Sequence, residues 1–386
     1  MGAATRDSVG TVEDLEASAT RLTTLTDFGG DDYREGLAVL LRSYAEDEAL
    51  TDLGRRVKRS ELRGALMARL ASEAGWARLQ QTAAVAIERP IFVTGLPRTG
   101  TTAMHRLLVA DPMHQGLEQW LCEMPQPRPP RETWPDNPVF QRVQAGYDKF
   151  YAANPTFAGV HYIAADAVEE CWQLLRQSAM SVSYESLGHI PTYSAWLGEQ
   201  DWTPAYARFK RNLQLIGSNE AEKRWVLKNP SHMVGLHALM AVYPDALIVQ
   251  THRDVRTALA SSCSLSALAT AGFSDTFVGD TIGRDQLDLL GREADTFLAA
   301  REHHNPAQFF DVAYGDLVSD PVGTVEAVYR YFDLPWTDAA RDAAAAEDRA
   351  SRSGHRAPAH RYSLSDFGLT EAMVDERFAD YTARHL

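Results

Sequence analysis

Pro90-Ile-Phe-Val-Thr-Gly-Leu-Pro-Arg-Thr-Gly-Thr-Thr102 decides how this chain is read. A short apolar strand runs into a loop bounded by Gly95 and Gly100. Ala103, Met104, Leu107 and Leu108 then recur at helical spacing until Asp111-Pro112 ends the helix. Strand, glycine-bounded loop and helix start, in that order, cradle a phosphate. The first N–H groups of a helix lack partners within it, and that end of its dipole is positive.

The loop has the spacing G-x-x-x-x-G-x-T, but Thr101 stands where a nucleoside triphosphatase keeps its lysine. In such enzymes the lysine reaches the β- and γ-phosphates, and the next Ser or Thr holds Mg²⁺. Thr101 offers a hydroxyl and a backbone N–H without charge, while Arg98 on the crown of the loop can fork onto an anionic oxygen. The loop therefore suits a nucleotide whose transferring group is bound without metal. Arg98, Thr99, Gly100, Thr101 and Thr102 are its candidate contacts.

A second anion site is expected farther along. The apolar run Ala246–Gln250 leads into Thr251-His-Arg253, and Ser261 lies on the helix that follows. A Mg²⁺-dependent nucleotidase would carry an aspartate at the end of such a strand. Arg253 with Ser261 instead suits a separate phosphate.

The 386 residues, 45% hydrophobic, suffice for a full core and exclude a disordered chain. The net charge of −14, from 38 Lys+Arg against 52 Asp+Glu, disfavours nucleic acid as a partner. An anionic ligand then needs a local cluster of cations. Cys122, Cys171 and Cys263 are too few and too widely spaced for a disulfide framework or a zinc site. No run approaches the length of a transmembrane helix, and the N-terminus lacks the apolar core of a signal peptide. A soluble cytoplasmic protein is expected.

Residues 1–88 carry helical periodicity, with Ser60 as a helix start, and are expected to form a helical region packed on a core formed by residues 89–386. The core is expected to be α/β, a parallel sheet flanked by helices. Ile91–Thr94, Trp225–Lys228, Ala246–Gln250 and Gln308–Ala313 are its strands. Helices are expected over 166–180, 203–217, Gly235–Tyr243 and Pro321–Phe332, and a surface loop over the proline-rich Pro125–Pro138. Phe140, Tyr147, Phe150, Tyr151 and Phe157 suggest a pocket wall, although aromatics also simply fill cores.

These residues together resemble the PAPS-dependent sulfotransferases, in particular the bacterial, largely actinobacterial branch whose loop reads GLPRTGTT. The likeness continues through Arg224-Trp-Val-Leu-Lys-Asn-Pro-Ser-His-Met233, Tyr314-Gly-Asp-Leu-Val-Ser-Asp-Pro321 and His360-Arg-Tyr-Ser-Leu-Ser-Asp-Phe-Gly-Leu369, and so covers roughly residues 88–386. The resemblance implies sulfuryl transfer from 3′-phosphoadenosine-5′-phosphosulfate (PAPS) to an alcohol, without metal. The GLPRTGTT loop would bind the 5′-phosphosulfate, and Arg253 with Ser261 the 3′-phosphate. Lys228 would act on the bridging oxygen.

For the general base, His232 is preferred because imidazole titrates near neutrality. Better-known cytosolic members keep a lysine and a histidine close together here, whereas Asn229-Pro230-Ser231 separate them in this chain. Other branches use a glutamate near the first loop, which keeps Glu118 and Glu123 open, and His161 is a further candidate. The segment Arg349–Arg361, with four arginines and two histidines, is either an exposed basic stretch or a flap over the nucleotide; His360 and Arg361 are its candidate contacts. Aromatics between residues 134 and 206 point to an apolar acceptor such as a lipid, glycolipid, sterol-like or phenolic alcohol. A P-loop kinase would account for the first loop alone, and a non-catalytic nucleotide-binding protein would not need Lys228 and His232. Self-association is left open.

Overall fold

The computed structural model describes residues 8–153, 163–353 and 362–386. Three helices come first: α1 (Val12–Thr23), α2 (Arg34–Glu46) and the long α3 (Asp52–Arg78). Ser60 does not start a helix. α3 begins at Asp52, where the Thr51 hydroxyl caps it by accepting from the Gly54 N–H at 3.1 Å.

The sheet begins with β1 (Ile91–Thr94), followed by α4 (Thr101–Val109) and the two-residue β2 (His114–Gln115). Helices α5 (Gln119–Glu123) and α6 (Pro138–Ala153) come next, with a short 3₁₀ turn at Arg131–Asp136 in the proline-rich stretch between them. Then come α7 (Trp172–Leu175), α8 (Pro191–Gly198) and α9 (Thr203–Ile216). β3 (Arg224–Lys228), α10 (Leu236–Val242) and β4 (Leu247–His252) form the next strand-helix-strand unit, and α11 (Val255–Ala269) and α12 (Asp280–Arg301) follow. The chain closes with β5 (Phe309–Ala313), α13 (Tyr314–Ser319), α14 (Pro321–Tyr331), α15 (Asp338–Ser353), α16 (Glu371–Arg377) and α17 (Ala379–His385).

All strand pairs are parallel, in the order β2-β3-β1-β4-β5. Side chains alternate between the faces of a strand, so each strand feeds two cores. Ile91, Val93, Val226 and Val249 pack with Met104 and Leu108 of α4 and Val325 and Val328 of α14. Phe92, Leu227 and Ile248 pack on the other side with α9 to α12, and Leu40 of α2 with Leu66 and Leu70 of α3 belongs to that same cluster. The N-terminal helices therefore share a core with the sheet.

The expected helix over 166–180 is a correction. Only Trp172–Leu175 is α-helical, with a 3₁₀ turn at Arg176–Ser178. Upstream, backbone groups are taken by partners across the chain: Glu118 bridges Val168, and the Glu169 N–H donates to the Leu117 carbonyl at 2.9 Å. The Cys171 N–H donates to the Lys228 carbonyl at 3.0 Å. A helix would forfeit these bonds. They also set residue 170 beside the end of β3.

Candidate active site

The chain leaves β1 at the centre of the sheet, with β3 on one side and β4 on the other. At this point the strand order reverses, and a crevice opens beyond the carboxyl ends of the strands. The loop between β1 and α4 fills it. Gly95 has φ of 136°, and a Cβ there would lie 2.5 Å from the Thr251 carbonyl oxygen, so the loop can cross β4 only without a side chain. Gly100, at φ of 101°, turns the chain into α4. Arg98 is also left-handed, at φ of 70°, a conformation uncommon for a residue with a Cβ.

Thr99 is fully buried. Its hydroxyl lies 2.7 Å from the Leu96 carbonyl and 2.6 Å from the Thr251 hydroxyl. It braces the loop from beneath. Arg98 and Thr102 instead line an open cleft of about 540 Å³, together with Arg106, Tyr314 and Arg352.

Arg98, Arg253 and Ser261, far apart in sequence, meet here. Arg98 Nε donates to Ser261 Oγ at 3.0 Å, and Arg253 Nη1 donates to the Arg98 carbonyl at 3.0 Å. The Arg253 guanidinium lies over the Tyr314 ring, 4.2 Å from its centroid. Among the described residues neither arginine is paired with a carboxylate, although the chain carries a net charge of −14. Burial first, and the Arg253 charge as well, push the Arg98 guanidinium below its ordinary value. Two adjacent cations held in this way form an anion site.

Lys228 ends β3 with its side chain 1% exposed. Its Nζ lies 2.6 Å from Glu170 Oε1 and 3.3 Å from Thr102 Oγ1. Glu170 in turn lines a second cleft of about 800 Å³. Tyr147, Phe150 and Trp172 form apolar wall there, Pro97 comes from the loop, and Ser60 and Glu61 come from α3. The N-terminal helices thus supply part of this cleft.

His232 is not brought to either cleft. Asn229, Pro230 and Ser231 line the larger one, but the His232 ring turns inward among Phe92, Tyr206 and Phe209, 1% exposed. Its Nδ1 is 2.8 Å from the Tyr206 hydroxyl. Burial lowers its pKa to about 3. Glu118 is likewise withdrawn, buried against Arg128 at 3.0 Å. Glu123 does line the larger cleft, where burial raises its pKa. His161, His360, Arg361 and Phe157 lie outside the described residues.

Among the described residues one group has metal-ligand chemistry: His252, Asp311 and His385, whose ligand atoms lie within 4.8 Å of one another. Asp311 is already forked by Arg301 at 2.7 Å through both oxygens and accepts from His252 Nε2 at 2.8 Å. With the His252–Tyr381 bond of 2.8 Å and the stacked His252 and His385 rings, the group fastens α17 to the end of β4. No described helix is long and apolar enough to cross a membrane.

The model for the family described as "Sulfotransferase family" matches residues 90–338, which include β1, the loop, Lys228, Arg253 and Ser261. The chain belongs to the sulfotransferase family. Among solved sulfotransferases, STF1 from Mycobacterium tuberculosis H37Rv is 56% identical, covers 97% of this chain and 100% of its own, and superposes with a TM-score of 0.91. STF9 from Mycobacterium avium is 28% identical over 100% of this chain and 98% of its own, with a TM-score of 0.88. The ω-hydroxy-β-dihydromenaquinone-9 sulfotransferase Stf3 of Mycobacterium bovis and of Mycobacterium tuberculosis is 27% identical over 259 residues, 65% of this chain. The match spans 64% of that relative's length.

Glu170, which lines the larger cleft and bonds Lys228, is not among the residues singled out from the sequence. The pair of acids beside a cysteine held the available signal, and burial does distinguish them: Glu169 is 5% exposed with its pKa raised to about 7, whereas the Glu170 side chain keeps 24% exposure in the cleft.

Proposed function

We propose that this sulfotransferase moves the sulfuryl group of PAPS to a hydroxyl of a mostly apolar acceptor, leaving 3′,5′-ADP and a sulfate ester. One observation carries the reading: the Lys228 ammonium joins the two clefts, with Thr102 on the arginine-lined side and Glu170 on the apolar side. A group passing between two substrates would cross at that point.

In this reading the loop N–H groups, Arg98, Thr101 and Thr102 bind the 5′-phosphosulfate, and Arg253 with Ser261 takes the 3′-phosphate. The acceptor oxygen attacks sulfur in line, and the bond from sulfur to the phosphate oxygen breaks. The hydroxyl proton passes to the Glu170 carboxylate, and the electron pair stays on the leaving phosphate oxygen. Lys228 and Arg98 stabilise the charge that develops there. Glu170 is favoured as the base over His232 because it faces the acceptor cleft and touches Lys228, while the imidazole is sealed in aromatic packing.

Arg349 and Arg352 belong to α15, and Arg352, paired with Asp348 at 2.9 Å, lines the nucleotide cleft; His360 and Arg361 are kept as candidate contacts to the nucleotide. The acceptor class follows the lining of the larger cleft. The Stf3 relatives' named substrate, a hydroxylated menaquinone derivative, is of the same character. Incubation with ³⁵S-labelled PAPS and a lipid extract tests the reaction. Label in a lipid ester with matching release of 3′,5′-ADP supports it, and no transfer from PAPS to any hydroxyl compound contradicts it.

A further inference from the structure

Glu293 on α12 lines the larger cleft although it is only 1% exposed. Its Oε2 has no hydrogen-bond partner among the described residues. The adjacent Arg292 does not pair with it, being bonded to Glu185 instead. A buried carboxyl left in this way is costly, more so when ionised, and is retained where something else completes it.

The surroundings favour the neutral acid. Burial foremost, with the charges of Glu185 and Glu170, raises its pKa to about 8 against the opposing Arg292. Near neutral pH the group then offers both an O–H donor and a carbonyl acceptor. The same cleft is lined by the hydroxyl residues Ser262 and Ser266 of α11, and Ser262 donates to Gln286 of α12 at 3.2 Å. Glu61, Glu123 and Glu170 share the cleft with Arg142, so an anionic tail would meet net repulsion.

We propose that Glu293 determines acceptor specificity by hydrogen-bonding a neutral oxygen, hydroxyl or carbonyl, that the acceptor carries away from the hydroxyl receiving the sulfuryl group. This rests on the assignment of the larger cleft to the acceptor. The acceptor is then an uncharged amphiphile with two oxygen functions joined by an apolar body, and a plain long-chain alcohol satisfies only one of them.

The test uses octanol, decanol and dodecanol with the corresponding α,ω-diols, ω-amino alcohols and ω-hydroxy acids. Binding is read by tryptophan fluorescence in the presence of 3′,5′-ADP, since Trp172 lines the cleft. The wild type is expected to bind at least one diol about tenfold more tightly than the alcohol of equal length, the weight of one buried hydrogen bond. E293Q, which keeps a donor and an acceptor, should retain the preference. E293L and E293A should lose it while keeping alcohol binding. A melting shift with 3′,5′-ADP checks that each variant is folded.

A wild type without diol preference overturns the proposal whatever the variants do. So does an unchanged preference in E293L or E293A, and so does a wild type that prefers the amino alcohol, which would make Glu293 an ionised partner. Sulfuryl transfer to the same alcohols is measured separately. Binding selectivity without transfer would support Glu293 and count against the reaction.

Discussion

The Lys228 ammonium lies 2.6 Å from Glu170, at the boundary between an arginine-lined cleft and an apolar one. Strand β3 delivers the lysine, and the bond from the Cys171 N–H to the Lys228 carbonyl delivers the glutamate. Two segments of unrelated sequence are therefore fixed to the same strand end, and the pair's geometry follows from the sheet.

The loop carries Thr101 where a metal-dependent enzyme keeps lysine, and Arg253 follows β4 where such an enzyme keeps a metal-binding aspartate. 3′,5′-ADP should raise the melting temperature as much in EDTA as with Mg²⁺, since a ligand of the native state stabilises it by mass action. A strict Mg²⁺ requirement would favour a kinase.

Arg253 stacks on Tyr314 and holds the Arg98 carbonyl, leaving its remaining donors for a phosphate. Arg253→Ala should weaken 3′,5′-ADP binding by about 1.5–3 kcal/mol, the range for a hydrogen bond to a charged group. Binding of 5′-AMP, which has no 3′-phosphate, should suffer much less. Equal losses in calorimetry would assign Arg253 to the loop alone.

His232 and His105 are both fully buried, and burial lowers the pKa of each to about 3. Both stay neutral in the native state, whereas in the unfolded chain they take up protons below about 6.5. The unfolded state then binds more protons, so stability falls as pH drops from about 6.5 toward 3. His232→Gln removes one of these uptakes and can keep a bond to Tyr206. Between pH 7.5 and 5 the variant should lose about 2 kcal/mol less than the wild type in urea unfolding. Identical pH dependence would mean that His232 is accessible to protons in the native state.

Much of the sheet was legible because β1, β3 and β4 are short apolar runs buried on both faces or nearly so, while the edge strand β5, partly exposed, still carries the apolar Phe309, Phe310 and Val312. The loop glycines, Lys228, Arg253 and Ser261 were legible because their places at strand ends and on the following helix are local. β2 was not, since two residues show no period. Glu170 was hidden for a different reason: its position depends on bonds to Leu117 and Lys228, remote in sequence. His232 misled because its chemistry suits a base, while the 3₁₀ turn at Pro230–Met233 swings the ring into the core beneath β1.

The wild type and Glu170→Gln, compared for ³⁵S transfer from PAPS to a hydroxylated lipid extract, test the central claim most directly. The substitution keeps the shape and a hydrogen-bonding partner for the cleft but removes the base. Transfer should fall by roughly 10²–10⁴-fold, the usual weight of a general base, with 3′,5′-ADP affinity nearly unchanged. His232→Gln should stay within a few-fold of the wild type. Wild-type transfer rates in Glu170→Gln, or loss of turnover in a folded His232→Gln, would contradict the account.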